Sequence, residues 1–568
     1  MWFAQQVYLQ YKEIINKKIY NKKDCEKSMS LILVFLISIM FFVPFALNKM
    51  RRVYLVIPFF LLSCLVIFNI GLFDKYSFLD SALIFHKTLV DTLIDPSLFQ
   101  NDQAIEYYLK TYPRGYHLVL ALLTNLKLSV AQSSKLLGII LALITPFLFY
   151  FLGLELYPDK QIAFFSAIFC PMALIGHTIY SGLPRSLGLV LFLIGLICLF
   201  KIKNKQKKIG YFAGLNLIMF LLVLIHPHTF IILWLVAMAF FLITFFEKNK
   251  TQTKLRADNA YLVMLLVLGG YVLGCWIFKQ KNLINLSSWD FLHMHREIYL
   301  NRVPYVFMSF FRILQDIGII LLLMFASSLF MFSRNHELRK KYPDLRFLFI
   351  AVLVLGLAIL AIMQINPLFF LKAHRFILFI SLLMYLSGIW VLEYIWFKVK
   401  QNKVITALGC LILFAPNAIE LRDHIQAPRF PYDLDKICFG ITWPIKNPLK
   451  FAELLKLSDF ISKNLDKHEM IACSLDRGDL LRMYAQRPVT ASWEIGGMIT
   501  TYRDAFFIYQ QQIFNSEMLY SHPEELYKLY GVNYFVFEKS KWTNNSDLLT
   551  RFQVVWQSAN IYFCKIII

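Results

Sequence analysis

The residues able to do chemistry fall in short stretches between long apolar runs. They are Asp80, His86, Asp91, Arg114 and His117 in one polar segment, Arg185 after it, then His226 and His228, His293 and His295, and Lys372, His374 and Arg375. Together they offer carboxylate, imidazole and guanidinium, the groups that take a proton from a hydroxyl and hold a departing phosphate. Ionisable groups at or near membrane depth are costly, which makes them functional candidates by default.

Each also has a plainer reading. Asp80 precedes an apolar helical stretch, where a carboxylate serves as a helix cap as readily as a base. Asp80 and Asp91 stand eleven residues apart, three helical turns on one face, with Lys87 set to pair with Asp91, whereas His86 falls on another face. Arg185 and Arg375 each begin an apolar run, where an Arg either presents its planar fork to a lipid phosphate or snorkels to the interface. His226-Pro227-His228 looks like a metal pair, yet no third ligand follows at metal spacing, so polar helix ends are the simpler account; His293 and His295 read alike. No phosphate-binding glycine loop and no serine nucleophile elbow occurs, so nucleotide-driven transport and serine hydrolysis have no motif behind them.

The elements that must position these residues are mostly membrane helices. Of 568 residues, 58% are hydrophobic and 17% charged, against about 45–50% and about 25% in an ordinary soluble chain. Runs long enough to cross a bilayer, about 20 apolar residues each, recur as Leu31–Ala46, Val53–Gly71, Ala131–Leu152, Ile162–Tyr180, Leu183–Phe200, Ile209–Ile225, Phe230–Phe246, Tyr261–Phe278, Pro304–Phe332, Phe347–Met363, Phe376–Phe397 and Val404–Ala418. These predict eleven or twelve transmembrane helices, the first either crossing or half-inserted after a basic segment, residues 1–30. No cleavable signal is visible, so the first apolar segments are expected to act as anchors.

The net charge is +22, and the surplus lies before Glu420; from Leu421 onward acidic and basic residues nearly balance. Nucleic acid is therefore excluded as a partner, and the excess reads as orientation. The interruptions near Lys49–Arg52, Lys201–Lys208, Lys248–Arg256, Arg334–Arg346 and Lys398–Lys403 are basic and expected to be cytoplasmic; the turn Glu155–Lys160, weakly acidic, is assigned to the same side. The alternate interruptions, which carry all the candidate residues, then face outward together with everything after Leu421. The expected organisation is a membrane domain over residues 31–420 with a long first outer loop, 73–130, and an outer domain over 421–568. A loop of that length is usually functional. Its pattern from Leu79 to Ile94 predicts a helix lying on the membrane surface, and a second helix is expected from Tyr112-Pro-Arg-Gly-Tyr-His117.

After Pro448 the pattern changes to a small α/β domain. Helices are expected at Phe451–Asn464, Asp479–Ala485, Tyr502–Phe514 and Glu524–Tyr530, and strands at Met470–Ser474, Val489–Trp493, Tyr534–Glu538, Phe552–Trp556 and Ile561–Ile567. The nine cysteines show no metal-ligand spacing, and no bridge is predicted among Cys438, Cys473 and Cys564.

The order of these features resembles the GT-C superfamily of integral-membrane glycosyltransferases. The likeness is carried by Asp80 on a surface helix, then Tyr112–His117, then Ser181-Gly-Leu-Pro-Arg-Ser-Leu-Gly188 at a span start and His374-Arg-Phe-Ile-Leu-Phe379 near the last spans. The ending is similar too, with Asp459–Ser462, Leu480–Ala485 and Tyr530–Glu538 matching an outer α/β domain of many bacterial proteins of this type. The resemblance implies a polytopic α-helical membrane fold in a bacterial inner membrane. It also implies a sugar donor carried on polyprenyl phosphate and an acidic residue of the first outer loop at the reaction centre, here Asp80. The acceptor would be a glycan, lipid or protein. Arg185 and Arg375 would bind the donor phosphate, with Arg114, His117, His86 and His374 completing the substrate site. No nucleotide or redox cofactor is required, no residue is assigned as a metal ligand, and dependence on a divalent metal stays open. Two other readings compete: a transporter or flippase of a lipid-linked or polar solute, and a non-catalytic scaffold for envelope polysaccharide assembly. A transporter would place its ionisable groups on broken helices near the midplane, and Gly269-Gly270 with Gly274 are the residues that would break a span.

Overall fold

A computed structural model describes residues 82–168, 170, 183–204, 208–249, 269, 319–365, 370–399, 448–492, 503–542 and 550–567. The expected spans Leu31–Ala46, Val53–Gly71 and Val404–Ala418 lie outside these residues, as do Tyr261–Phe278 apart from Gly269, and Asp80, His293 and His295.

The first outer loop folds as three helices, α1 (Ala82–Ile94), α2 (Gln103–Thr111) and α3 (Gly115–Thr124). The bundle follows as α4 (Val130–Leu156), α5 (Lys160–Ile168), α6 (Pro184–Asn204), α7 (Lys208–Ile225), α8 (Pro227–Asn249), α9 (Ile319–Arg334), the short α10 (His336–Lys341), α11 (Leu345–Ile365) and α12 (Phe370–Val399). Ser129 starts α4 with a capping box: its hydroxyl accepts from the Gln132 amide while the Gln132 side chain accepts from the Ser129 amide. Among the described residues four helices are long and apolar enough to cross a membrane, within Val130–Leu156, Pro184–Lys203, Pro227–Thr244 and Phe376–Tyr394. Four of the expected spans coincide with them, and Ile209–Ile225 and Phe347–Met363 are helical as well.

The opposite end of the bundle explains why an acidic turn sits on the basic side. Lys201 lies 3.9 Å from Glu155, and Lys203 is bonded to Asp344 at 2.5 Å, so the carboxylates are held by neighbouring cations. Tyr157 and Tyr342 stack edge to face above them, ring centroids 5.5 Å apart.

The terminal domain runs α13 (Pro448–Asn464), β1 (Ile471–Ala472), α14 (Leu475–Ala485), α15 (Arg503–Ser521), α16 (Pro523–Tyr530), β2 (Tyr534–Glu538), α17 (Lys539–Trp542), β3 (Phe552–Gln557) and β4 (Ile561–Ile566). The sheet order is β1-β2-β4-β3, with β1 parallel to β2 and the other pairs antiparallel. One expected strand is corrected. Trp493 lies outside the described residues, and Val489–Ser492 is reduced to a single parallel bridge between Val489 and Ile471. Side chains take the backbone groups that a ladder would use: Val489 N donates to Asp102, Ser492 N to Gln512, and the Thr490 carbonyl accepts from Asn515.

Apolar packing joins the parts. A large cluster fills the bundle, whereas a second runs from Val90, Tyr116 and Leu120 of the loop through Val130, Leu183 and Ile225 at one end of the bundle. It continues into Leu457, Ile471, Leu481, Val489 and Phe563 of the terminal domain. Loop, bundle mouth and terminal domain thus share one core.

Candidate functional site

The loop is held under the terminal domain by a buried ion pair. Arg482 of α14, with no exposed surface, donates through Nε and Nη2 to the two carboxylate oxygens of Asp102 at 2.9 and 3.0 Å, and through Nη1 to Ser492 at 2.9 Å. Asp102 is the cap of α2, so it also accepts from the Ile105 amide at 3.2 Å and from Val489 N at 3.2 Å. A carboxylate facing a two-pronged guanidinium and two amides has its acceptor sites filled. Lys87 of α1 pairs with Asp91 and donates to the Met483 carbonyl at 3.1 Å, while Gln486 reaches Asp91 at 3.1 Å. The Lys87–Asp91 pair expected from i,i+4 spacing is therefore present, and it faces α14.

Within the loop the two histidines meet. His86 Nδ1 lies 3.0 Å from His117 Nε2, both rings are buried, and Tyr112 and Tyr116 stand edge-on to His86 at 5.7 and 5.1 Å. Burial drives the His117 pKa down to about 4, outweighing its bond to the Pro113 carbonyl, which favours the charged form. A neutral His117 that donates to Pro113 from one nitrogen accepts on the other. The proton between the rings therefore belongs to His86 Nδ1.

Arg114 is exposed and turned back on its own loop, where Nη2 donates to the Leu109 carbonyl at 3.0 Å and closes the end of α2. Nothing brings it to the histidines. Asp80 precedes the described part of α1 by two residues and lies outside it.

The second group of candidates sits at the bundle mouth. Arg185 is in the first turn of α6, one turn from Gly188 on the same face. A Cβ added at Gly188 would lie 2.9 Å from Thr229 Oγ1 and 3.2 Å from the His226 Cβ, so α6 presses there on the corner between α7 and α8. At that corner the buried His226 Nδ1 bonds to Thr229 Oγ1 at 2.6 Å. The His228 ring, half-buried, lies 5.6 Å from His226 and edge-on to Phe376 of α12 at 6.5 Å. His374 and Arg375 immediately precede Phe376 on that helix. The starts of α6, α8 and α12 therefore meet at one end, the end that carries the loop. Among the described residues no three His, Cys, Asp or Glu side chains form a group fit for a metal ion.

Three participants were not singled out by sequence reasoning. Asp102 and Arg482 stand 380 positions apart, which no local pattern connects. Lys135, fully buried on α4 near the same end, was visible as an ionisable residue inside an apolar run.

Residues 97–368 match a family described as a family of unknown function, DUF6541. No curated protein matches the sequence. Among solved structures, the Archaeoglobus fulgidus oligosaccharyltransferase in complex with Zn and sulfate is similar at a TM-score of 0.52 and 13% identity, covering 85% of this chain and 68% of that one. Its apo form gives 0.51 and 12%, covering 87% and 70%. ArnT from Cupriavidus metallidurans bound to undecaprenyl phosphate aligns at 0.41 and 11%, over 90% of this chain and 98% of that one. At such identities the likeness is one of fold. The chain is a polytopic helical membrane protein that shares the fold of the Archaeoglobus fulgidus oligosaccharyltransferase and ends in a small α/β domain.

Proposed function

We propose that the chain is a membrane glycosyltransferase that moves a sugar from a polyprenyl-phosphate carrier to an acceptor hydroxyl on the side of its terminal domain, with inversion. The GT-C fold supports the reaction class. The observation that carries the reading is the convergence at one bundle end of the Arg185 turn, the helix bearing Arg375, and the loop that follows Asp80. Asp80 takes the acceptor proton as the acceptor oxygen bonds to the anomeric carbon, and the bond from that carbon to the phosphate oxygen breaks on the opposite face. Arg185 and Arg375 hold the phosphate that leaves, where charge builds in the transition state. His86 and His117 order the loop that carries the base, and His374 completes the rim.

In this reading the site lies outside the cytoplasm, where lipid-linked sugars rather than nucleotide sugars are at hand, in a bacterial inner membrane, and the acceptor is a glycan, lipid or protein. Asp80→Asn tests the reading. Loss of a general base lowers transfer by about 10²–10⁴-fold, with amide exchange of the loop unchanged. Normal transfer by Asp80→Asn, or labelling that puts residue 80 and the terminal domain on opposite sides of the membrane, overturns it.

A further inference from the structure

The His226-Pro-His228 corner has no part in the mechanism above, yet its geometry is that of a built site. His226 is buried and its ring is tied by the 2.6 Å bond to Thr229 in the next turn. The residue facing it across the helix contact is Gly188, where any side chain would strike Thr229 or His226, so the first turn of α6 seats directly against the corner. That turn carries Arg185 on the same face. On the other side, the half-buried His228 meets Phe376, whose neighbour in sequence is Arg375. His228 thus lies between His226, which meets α6, and Phe376 of α12, at ring-centroid distances of 5.6 and 6.5 Å.

We infer that His228 is a phosphate-binding residue of the donor site, donating an imidazole N–H to a phosphate oxygen between the Arg185 and Arg375 helix starts. The His226–Thr229 bond positions the corner that presents it. This rests on the reading above only in naming the ligand as a polyprenyl phosphate; the recognised chemistry is its phosphate, a diester in the sugar-loaded donor and a monoester once the sugar has left. An imidazole suits this place because it is a directed donor beside the corner that faces the Arg185 turn, and its ring packs edge-on against Phe376. His226 acts through the corner and is a positioning residue.

The experiment uses the full chain in lipid nanodiscs and measures binding of undecaprenyl monophosphate, with inorganic phosphate and undecaprenol as separate arms. His228→Phe keeps the ring and its packing but removes the donor. His228→Gln keeps an N–H donor and loses the ring. A phosphate contact predicts that His228→Phe weakens binding about tenfold or more, as loss of a hydrogen bond to a charged group does, whereas His228→Gln stays within about threefold. A packing role predicts the reverse order, and that order, or wild-type affinity in His228→Phe, overturns the inference. On the unaltered chain, undecaprenyl monophosphate should protect His228 from carbethoxylation by diethyl pyrocarbonate and undecaprenol should not; equal modification with and without the lipid phosphate overturns it without any variant having to fold. Thr229→Val, which removes the Thr229 hydroxyl bonded to His226 Nδ1, should weaken binding of undecaprenyl monophosphate, and wild-type affinity in that variant overturns the positioning role of the corner. Protection by inorganic phosphate alone assigns the subsite to the phosphate itself; protection by the lipid form only assigns the chain as well. If the wild type binds neither, the polyprenyl-phosphate reading falls with this one. If it binds and His228→Phe binds equally, this inference falls alone.

Discussion

Arg482→Met is the sharpest perturbation of the joint between loop and terminal domain. It removes a guanidinium with no exposed surface and keeps an apolar side chain in its place. Asp102, 1% exposed, then retains two amide donors but no counter-charge. Removing one partner of a buried pair costs about 3–5 kcal/mol, because the other charge stays desolvated. Spread over the local opening equilibrium of α2 and the Val489 bridge, about 1.4 kcal/mol per tenfold makes this a loss of roughly a hundredfold to a few thousandfold in amide-exchange protection. The assay is exchange at the Ile105 and Val489 amides, both held by Asp102, in the full chain. Asp102→Asn in the same background restores neutrality, and the double variant should recover most of the loss, giving a coupling of about 2–4 kcal/mol. Unchanged protection in Arg482→Met, or losses in the two single variants that simply add in the double, would refute the claim that this pair fastens the loop.

Further expectations concern the loop and the terminal domain. His117 has its folded pKa depressed to about 4 from 6.5. The folded loop therefore prefers the neutral ring, its stability is fully present above pH 6.5, and it is lost as pH falls toward 4, by about 3 kcal/mol in all from roughly 1.4 kcal/mol per pH unit; exchange in α1 and α3 should show this slope, and His117→Phe should abolish it. Gly478→Ala places a Cβ 1.7 Å from the Ala491 carbonyl oxygen; α14 must shift, and a loss of about 1–3 kcal/mol on unfolding with faster exchange at Val489 is expected, while wild-type stability would contradict the close approach. Burial pushes the Cys564 thiol up to about 12 and leaves it unbridged, so maleimide at pH 8 should label it only after denaturation; rapid native labelling would show the sheet to be open there.

Membrane character was legible in the sequence because spans are continuous apolar runs that need no partner to be recognised: Phe376–Phe397 falls within α12 and Leu183–Phe200 overlaps α6 from Pro184 onward. The terminal strands Tyr534–Glu538 and Ile561–Ile567 were equally visible, as short runs rich in aromatic and β-branched residues. Val489–Trp493 misled because its strand-like composition is spent on bonds to Asp102, Gln512 and Asn515, all distant in sequence. The same reason hid the site's architecture. That His86 would face His117 depends on the angle between α1 and α3, which is set by Tyr112 and Tyr116 packing rather than by any spacing. Arg114 had the residue type for a phosphate ligand, but a nearer acceptor, the Leu109 carbonyl at the open end of α2, takes its guanidinium. The His226 corner was seen as a pair of imidazoles; that Gly188 seats another helix against it needed three dimensions.

The shared apolar cluster sets the order in which the molecule can be made. Val90, Tyr116 and Leu120 leave the ribosome long before Leu457, Ile471 and Phe563, their packing partners. Until synthesis is nearly finished, the early helices after Asp80 have greasy faces with nothing from the carboxyl-terminal end to cover them, and Asp102 waits for an arginine 380 residues away. Closure of the joint between loop and terminal domain is therefore late and long-range, and a nascent chain stalled before residue 482 would lack the guanidinium that holds Asp102.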